Sequence, residues 1–403
     1  MILINHKFYL GNVLEVIKHL PEKSVQCCPT SPPYFGLRDY GLPATDWPEI
    51  VYTPMAGLPQ IIVPAWSGCL GLESTPELYI AHIVLIYREV WRVLRDDGTC
   101  FLNIGDSYSG SGKGFGALNH GKLGKHANEF MHSKNIVSEG LKAKDLIGIP
   151  WRLAFALQAD GWYLRSDIIW EKPNAMPESV TDRPTKSHEY MFLLAKSQKY
   201  YYDAEAIKEP AAWERWGKQT TQKRNPGTMS WVPDKSKEEL SAMGKKNKRT
   251  VWRIPTKPFK GAHYAVFPPD LIEPCILAGT SPQACPVCGA PWRRVITKTG
   301  HINRREEAHC PNNCSTKTDS TGWQPTTIGT DELKPTCTCT DNDGSGKCIV
   351  LDQFGGSGTV AMKARELGRD SIYIDMSPNY LGDALKRCEV RKNDFKYDVC
   401  FMG

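Results

Sequence analysis

The chain has 403 residues, of which 41% are hydrophobic and 23% are charged, and its formal net charge is +6 at pH 7. This length holds one large α/β domain with insertions or two domains, and the composition is that of a folded globular protein. No apolar run approaches a membrane span, and the N-terminus lacks a signal-peptide pattern. We therefore expect a cytoplasmic protein with no membrane partner.

The first two hundred residues predict alternating strands and helices. Residues 7–20 predict a short strand, a turn at Gly11-Asn12 and an amphipathic helix that ends before Pro21. Residues 41–75 and 105–144 show little apolar periodicity and are predicted to be loop insertions. Further helices are predicted at 76–95 and 145–160, and strands at 99–104, 163–170 and 189–195, with a turn at 95–98.

The segment from Thr30 to Tyr34 interrupts this pattern after a short apolar run. Two consecutive prolines continue neither a strand nor a helix interior, because each lacks an N–H donor and has a fixed φ. The segment therefore presents the Ser31 hydroxyl, free carbonyls and the Tyr34 ring, which together suit a flat, amine-bearing ring. A proline turn that merely ends a core strand explains the segment alone equally well.

A basic stretch runs from Trp213 to Lys260, with 13 Lys or Arg residues against four Asp or Glu. Four tryptophans are interleaved with these charges, which indicates a surface that holds phosphates and stacks on bases. A solvated polar insertion with packing tryptophans is the alternative. The candidate nucleic-acid contacts are Arg215, Lys223, Arg224, Lys248, Arg249 and Arg253.

Fourteen cysteines in a chain without an export signal indicate reduced thiols and a metal site rather than disulfides. Seven of them lie in residues 281–348, where Cys285-Pro-Val-Cys288 followed by glycine has the form of a zinc knuckle. Cys337 and Cys339 are predicted to complete a closed, structural zinc site. Cys310 and Cys314 compete for this second half or join His309 in a separate site. Buried thiols without a metal are the remaining alternative.

A glycine-rich loop follows the apolar strand 349–352 near the C-terminus, and a helix and a second strand ending at Asp375 come after it. This arrangement predicts a nucleotide-binding βαβ unit, in which glycines let the backbone approach the ligand and the acid accepts hydrogen bonds from ribose hydroxyls. An NAD-dependent oxidoreductase normally has this loop in its first βα unit, so the late position disfavours that alternative. The strand before Ser31 must then share the sheet, with the ligand where the strand ends meet.

Two motifs resemble those of a known family. Ser31-Pro32-Pro33-Tyr34 and residues 352–359 resemble the catalytic and AdoMet-binding motifs of the DNA amino-methyltransferases, and their order resembles the permuted beta group. Residues 263–269 through Gly279-Thr280 resemble the family's other cofactor-pocket segment, and Trp170–Tyr190 resembles the loop and strand that flank the target base. Asn12 departs from the family's usual Gly-Asp. The cysteine-rich insertion resembles one found in phage-type members.

The resemblance implies an α/β, Rossmann-like AdoMet-dependent methyltransferase fold that is circularly permuted, with DNA-recognition and cysteine-rich insertions. Residues 1–210 are then the catalytic half, and 211–260 are the basic target-recognition segment. Residues 261–280 and 349–395 are the AdoMet-binding half, and 281–348 are the zinc-binding insertion.

The implied activity is methyl transfer from AdoMet to the exocyclic amine of a base flipped out of double-stranded DNA. The implied catalytic residues are Ser31, Pro32, Pro33 and Tyr34, with Tyr34 stacked on the base. The implied cofactor-binding residues are Phe267, Asp352, Phe354, Gly355, Gly356, Ser357, Gly358, Thr359 and Asp375.

Serine in the first motif position resembles the cytosine-N4 enzymes, and adenine N6 is the alternative target. The motif has no cysteine nucleophile, which argues against methylation at carbon 5. A non-catalytic, zinc-containing DNA-binding protein and an RNA substrate are further alternatives. The expected location is the cytoplasm of a bacterium or of a phage-infected host, and a homodimer and a cognate restriction endonuclease are both left open as partners.

Overall fold

A nine-stranded sheet runs through the computed structural model, which describes residues 6–110, 140–210, 245–257, 266–299, 326–389 and 397–401. The strands are β1 (His6–Leu10), β2 (Val25–Thr30), β3 (Thr45–Trp47), β4 (Ile50–Tyr52), β5 (Ile61–Val63), β6 (Trp66–Gly68), β7 (Leu94–Ile104), β8 (Tyr163–Glu171), β9 (His188–Ala195), β10 (Glu209–Pro210), β11 (Lys245–Lys246), β12 (Val251–Arg253), β13 (Arg293–Thr299), β14 (Thr326–Lys334), β15 (Ile349–Asp352), β16 (Asp370–Asp375) and β17 (Tyr397–Phe401).

Six α-helices and one 3-10 turn (Glu205–Ile207) accompany these strands in the described ranges. The helices are α1 (Val13–Lys18), α2 (Pro76–Val93), α3 (Ile149–Ala159), α4 (Pro269–Gly279), α5 (Thr359–Glu366) and α6 (Pro378–Arg387). Helix α2 begins where the Thr75 hydroxyl accepts a hydrogen bond from the Leu78 N–H, with Pro76 at the first helical position. None of the helices in these ranges is long and apolar enough to cross a membrane.

The order of the strands in the large sheet is β12-β8-β9-β7-β2-β15-β16-β1-β17. Strand β9 is antiparallel to β7 and β8, and the other pairings are parallel. The chain leaves β2 toward β7 and leaves β15 toward β16, so the direction of winding reverses between β2 and β15. Such a reversal opens a crevice at the carboxyl ends of the two strands. The predicted permuted α/β fold is therefore confirmed.

Helices cover both faces of the sheet. Successive side chains of a strand point to opposite faces, and the fully buried Cys27 and Cys28 of β2 illustrate this. Cys28 belongs to the cluster built with α1, α2 and α3, whereas Cys27 belongs to the cluster built with α4 and α5. Both cysteines are thus core residues.

Two predictions of irregular backbone in the first hundred residues were wrong. Residues 41–75 form two small antiparallel sheets, β3 with β6 and β4 with β5. Strands of three residues are too short to show a period of two, yet Trp47, Ile50 and Tyr52 are buried. The predicted turn at residues 95–98 lies inside β7, which starts directly after α2.

The basic stretch also differs from the expected separate segment, because part of it joins the main sheet. Strand β12 pairs in parallel with β8, and the Trp252 side chain is buried there. Residues 211–244 and 258–260 of that stretch lie outside the described residues, as do 111–139 of the second predicted loop and His309, Cys310 and Cys314 of the insertion.

Candidate active site

The two sequence motifs open onto one cavity at the crevice between β2 and β15. Its volume is about 710 Å³, and Ser31, Pro32, Pro33 and Tyr34 all line it. Seven of the nine predicted cofactor-binding residues line it too, namely Phe267, Phe354, Gly355, Gly356, Ser357, Thr359 and Asp375. Asp352 and Gly358 are not among the lining residues, and both lie behind the cavity wall as described below.

Contacts with neighbouring backbone and with α2 fix the conformation of the Ser-Pro-Pro-Tyr segment. The Tyr79 hydroxyl donates a hydrogen bond to the Pro33 carbonyl at 2.8 Å, and the Gly36 N–H donates to the Gly71 carbonyl at 2.8 Å. A Cβ at Gly105 would lie 2.6 Å from the Tyr34 ring, so the absence of a side chain there leaves space for the ring. The prolines end the strand, and tertiary contacts determine where the segment points.

A hydrogen-bonded chain of polar groups lies behind Ser31. The Ser31 hydroxyl donates to the Tyr34 hydroxyl oxygen at 3.3 Å. The Tyr34 hydroxyl faces the Glu189 carboxylate at 2.8 Å and the Asn103 carbonyl at 3.1 Å. Burial and the nearby Glu189 charge raise the pKa of Tyr34 well above its ordinary value, so the phenol stays protonated.

Glu189 is held by a cation on its other oxygen. Lys172 forms an ion pair with Glu189 Oε1, and the Lys172 ammonium lies 4.3 Å from the centroid of the Trp170 ring. Asn103 donates from Nδ2 to the Tyr190 carbonyl at 3.0 Å, which orients its side-chain carbonyl toward Tyr34. Glu189, Lys172 and Asn103 all line the cavity.

The glycine loop between β15 and α5 is packed against its own helix and strand. A Cβ at Gly355 would lie 2.2 Å from the Tyr373 ring. Gly358 has a φ of +75°, and a Cβ there would lie 2.6 Å from Ala384. These two positions therefore require glycine for the packing of the loop, and Gly358 faces α6 rather than the cavity.

Side chains near the loop are already engaged with protein groups. Arg387 donates to the Ser357 hydroxyl at 2.7 Å and to the Thr359 hydroxyl at 2.8 Å. The Gly356 N–H donates to Asp375 Oδ2 at 2.8 Å, and the Ser377 N–H donates to Asp375 Oδ1 at 2.7 Å. Arg387 was not predicted from the sequence, because its helix contributes to the site only through the tertiary fold.

A buried carboxyl group, Asp352, and a partly buried one, Asp375, lie on either side of this loop. Burial raises the pKa of Asp375 to about 6 and that of Asp352 to about 7. Asp352 Oδ1 accepts hydrogen bonds from the Thr30 hydroxyl at 2.8 Å and from the Phe354 N–H at 3.2 Å. Asp352 therefore joins the end of β2 to the end of β15, which is a supporting position rather than a wall of the cavity.

Asn12, where the sequence departs from the usual Gly-Asp, also lines the cavity. Its Oδ1 accepts from the Leu14 N–H at 2.9 Å and caps α1, while its Nδ2 donates to the Thr45 hydroxyl at 2.9 Å. Both polar ends of the amide are thus used by the protein. Trp47, Tyr40 and Tyr380 line the same part of the cavity and were not predicted.

The four predicted metal ligands lie together. The sulfur atoms of Cys285, Cys288, Cys337 and Cys339 are all within 4.8 Å of one another. A tetrahedral zinc ion with Zn–S bonds of about 2.3 Å places its sulfurs about 3.8 Å apart, so the cluster fits such an ion.

The cluster is joined to the sheet through the backbone next to it. Gln26 of β2 donates to the Gly289 carbonyl at 2.8 Å and accepts from the Ile349 N–H at 2.6 Å. Gln26 therefore links the cysteine-rich unit to the start of β15, at the end of the strand opposite to the glycine loop.

Three of the six predicted nucleic-acid contacts are described, and each has a partner within the chain. Arg249 Nε lies 2.7 Å from Glu209 Oε1, and Arg253 Nε lies 3.4 Å from Glu171 Oε1. The Lys248 ammonium lies 5.0 Å from the centroid of the Trp252 ring. Both arginine side chains remain about 70% exposed. Arg215, Lys223 and Arg224 lie outside the described residues.

Comparison with known proteins identifies the family. The sequence matches the DNA methylase family of N6- and N4-type methyltransferases over residues 25–285 and 310–386. It is 46% identical to the Type II methyltransferase M.Cfr9I of Citrobacter freundii over 272 residues, which are 68% of this chain and 72% of that protein. It is 44% identical to the Type II methyltransferase M.SmaI of Serratia marcescens over 276 residues, which are 68% and 76% of the two chains.

Among solved structures, the PvuII DNA methyltransferase (cytosine-N4-specific) is similar in fold, with a TM-score of 0.50 at 15% identity. The match covers 97% of this chain and 89% of that one. The protein therefore belongs to the N6/N4 family of DNA amino-methyltransferases, and it is an enzyme of the Type II DNA methyltransferase group.

Proposed function

We propose that this methyltransferase transfers a methyl group from AdoMet to the N4 amine of a cytosine flipped out of double-stranded DNA. The observation that supports this most directly is that the Ser31 segment and the glycine loop line one cavity. At about 710 Å³ the cavity lies within the range of about 300–1,000 Å³ that is usual for ligand sites.

The cofactor side is formed by the glycine loop, Asp375 and the aromatic rings of Phe267 and Phe354. The carboxylate of Asp375 accepts two backbone N–H groups and keeps lone pairs that ribose hydroxyls can use. When bound, AdoMet supplies an electrophilic methyl group whose sulfonium loses its positive charge on transfer. The chain's own contribution is to fix the distance and angle between this methyl group and the amine.

The base side is formed by Ser31, Pro32 and Tyr34. An aromatic amine is a weak nucleophile because its lone pair is delocalised into the ring. Ser31 Oγ and the Pro32 carbonyl accept the amine hydrogens and favour a pyramidal nitrogen. The Ser31 hydrogen points to Tyr34, which leaves the oxygen lone pairs of Ser31 available for the amine. Stacking of Tyr34 on the base helps to offset the few kcal/mol that flipping costs.

Cytosine is preferred over adenine because serine occupies the first position of the motif, as in the cytosine-N4 enzymes that it resembles. The PvuII enzyme, which has a similar fold, is described as cytosine-N4-specific.

We further propose that Cys285, Cys288, Cys337 and Cys339 hold a structural zinc ion, and that residues 211–260 contact the DNA. In this proposal Arg249 and Arg253 exchange their internal carboxylate partners for phosphates.

Substitution of Ser31 and Tyr34 tests the proposal. Ser31→Ala and Tyr34→Ala should each lower methylation of duplex DNA by about 10²-fold or more, because the amine loses an acceptor or the base loses its stacking surface. Duplex binding, measured by fluorescence anisotropy, should change by less than about threefold. Ser67→Ala, at an exposed position of β6, is the matched control and should keep full activity. Full methylation by Ser31→Ala would overturn the proposed role of this residue.

A further inference from the structure

The hydrogen-bonded chain behind Ser31 ends at the carboxylate of Glu189, which can accept a proton. Ser31 donates to the oxygen of Tyr34, and Tyr34 lies 2.8 Å from Glu189 Oε2. Each donor in this series points away from the cavity wall at Ser31 and toward Glu189. A proton that arrives at Ser31 can therefore move along existing hydrogen bonds to the carboxylate.

The proposed reaction releases a proton, and this route supplies an acceptor for it. When the amine nitrogen bonds to the methyl carbon, the carbon–sulfur bond breaks and its electron pair goes to sulfur. The methylated nitrogen then carries one proton too many and a positive charge. The Pro32 carbonyl can accept a hydrogen bond but is far too weak a base to keep this proton. Ser31 can accept it only by releasing its own proton to Tyr34.

We propose that Glu189 is the final proton acceptor of the reaction and that the proton reaches it through the Ser31 and Tyr34 hydroxyls. This inference rests on the proposed amine methylation. The nitrogen–hydrogen bond breaks, Ser31 Oγ gains that proton and passes its own to the Tyr34 oxygen, and Tyr34 passes its own to Glu189 Oε2. Both hydroxyls are regenerated, and the carboxylate becomes a carboxylic acid.

The surroundings of Glu189 fit this role. Lys172 forms an ion pair with the far oxygen, Oε1, and leaves Oε2 to accept from Tyr34. Asn103 Nδ2 lies 3.3 Å from Oε2 and helps to fix its position. The side chain of Glu189 is 17% exposed and lines the cavity, which gives the acid a path to return its proton to water.

The high pKa of Tyr34 adds a constraint on the order of events. Burial and the charge of Glu189 disfavour a tyrosinate, so Tyr34 does not hold the negative charge as a separate intermediate. The phenol must receive one proton as it gives up another. This constraint makes Tyr34 a carrier between Ser31 and Glu189 rather than a base in its own right.

Single-turnover kinetics with duplex DNA and saturating AdoMet test the route. Glu189→Gln keeps the size of the side chain and an oxygen that accepts from Tyr34, but it cannot take the proton. Its rate of methyl transfer should fall by about 10²-fold or more, while the Kd values for AdoMet and DNA change by less than threefold.

Tyr34→Phe should show a similar loss, and the double variant should be no slower than the slower single variant, because both changes break one route. Glu15→Gln on the surface of α1 is the matched control and should keep the full rate.

The aspartate variant distinguishes proton transfer from packing. Glu189→Asp keeps a carboxylate. Its rate of methyl transfer should be at least tenfold higher than that of Glu189→Gln. A full rate for Glu189→Gln would overturn the inference, and so would equal losses in both variants together with a fall in thermal stability. If the wild-type protein methylates no amine, the proposed function fails instead, and the two failures are therefore distinguishable.

Discussion

Asp352 is the residue at which the two halves of the site meet, because its Oδ1 binds Thr30 of β2 and the backbone of Phe354 after β15. Its other oxygen has no hydrogen-bond partner within the described part of the chain. Burying an ionised carboxylate with incomplete hydrogen bonding costs free energy, and the protein reduces this cost by raising the pKa. Asp352 thus lowers the stability of the folded protein but forms a rigid link between the two motifs.

A pH dependence of stability follows from this raised pKa. The folded value is about 7 and the ordinary value is near 3.8, so this group's stabilising contribution is complete below about pH 4 and is lost as the pH rises through 7. The loss is up to about 1.4 kcal/mol per pH unit in that window. Asp352→Asn removes this pH-dependent contribution to stability and keeps the oxygen that accepts a hydrogen bond from Thr30. In urea unfolding, the stability of the variant relative to wild type should therefore rise between pH 4.5 and pH 8. Asp46→Asn at an exposed position should show no such trend, and a constant difference for Asp352→Asn would contradict the account.

Gly105 allows a second test at the residue scale. An alanine Cβ there would lie 2.6 Å from the Tyr34 ring, and the ring would have to move away from Glu189 and Asn103. A displacement of this size at a reacting site costs about 10²-fold in rate, so Gly105→Ala should lower kcat by that order with AdoMet binding unchanged. Gly382→Ala in α6, where a Cβ meets nothing within 4 Å, is the control for activity. Normal kcat in Gly105→Ala would show that the position of Tyr34 is not critical.

Residue-level features were predictable where a local motif carried them. The proline pair and the glycine loop are contiguous in sequence, so their residue types alone indicated a site. Glu189 and Asn103 were not predicted, because they meet only when β9 pairs antiparallel between β7 and β8. Tyr190 and Ile104 are paired in that register, which brings the carboxyl end of β7 next to the start of β9. Proximity of this kind depends on strand pairing that no short motif specifies.

At the scale of elements, the excursion of residues 41–75 is held to α2 by a buried polar pair. His82 Nδ1 lies 2.8 Å from Glu73 Oε1, and the Gly71 N–H donates to Glu73 Oε2 at 2.7 Å. Trp47 stacks on His82 with ring centroids 4.1 Å apart and also lines the cavity. Gly71 in turn accepts from Gly36 just after the Ser-Pro-Pro-Tyr segment. The excursion therefore supports the Ser-Pro-Pro-Tyr segment from outside the sheet.

Substitution of Glu73 should weaken the attachment of residues 41–75 to α2. Glu73→Ala leaves His82 and the Gly71 N–H buried without their partner, so we expect a loss of about 3 kcal/mol in the free energy of unfolding. Lys18→Ala breaks an exposed pair with Glu15 on α1 and should cost less than about 1 kcal/mol. Chemical denaturation measures both values. Equal effects of the two substitutions would contradict the assigned role of the buried pair.

At the scale of the whole molecule, motif order predicted the arrangement better than local patterns did. A late glycine loop and an early Ser-Pro-Pro-Tyr segment act together only if β15 and β2 are neighbours, and the sheet has this order. The edges were not predictable in the same way. Strand β12 follows a polar, basic stretch and β17 lies after the last predicted strand, so their places depend on unfilled hydrogen bonds at the sheet edges.

The cysteine cluster provides a test at this scale, because Gln26 links the backbone beside the cluster to the start of β15. We expect one zinc ion per chain by atomic emission, and we expect Cys337→Ser to lower both the zinc content and the Tm by several degrees. Cys69→Ser, outside the cluster, should keep its zinc. A wild-type protein without bound metal that has the same Tm in the presence of a chelator would contradict a structural zinc site.

In the proposed reaction, Ser31 presents a cytosine amine to a methyl donor bound at the glycine loop. This reaction can be followed by incubating duplex DNA with the protein and AdoMet labelled in the methyl group, and then analysing the nucleosides by mass spectrometry. We expect labelled N4-methyldeoxycytidine with the wild-type protein and at least about 10²-fold less with Ser31→Ala. Labelled N6-methyldeoxyadenosine would contradict the assignment of the base, and the absence of any labelled nucleoside would contradict the proposed reaction.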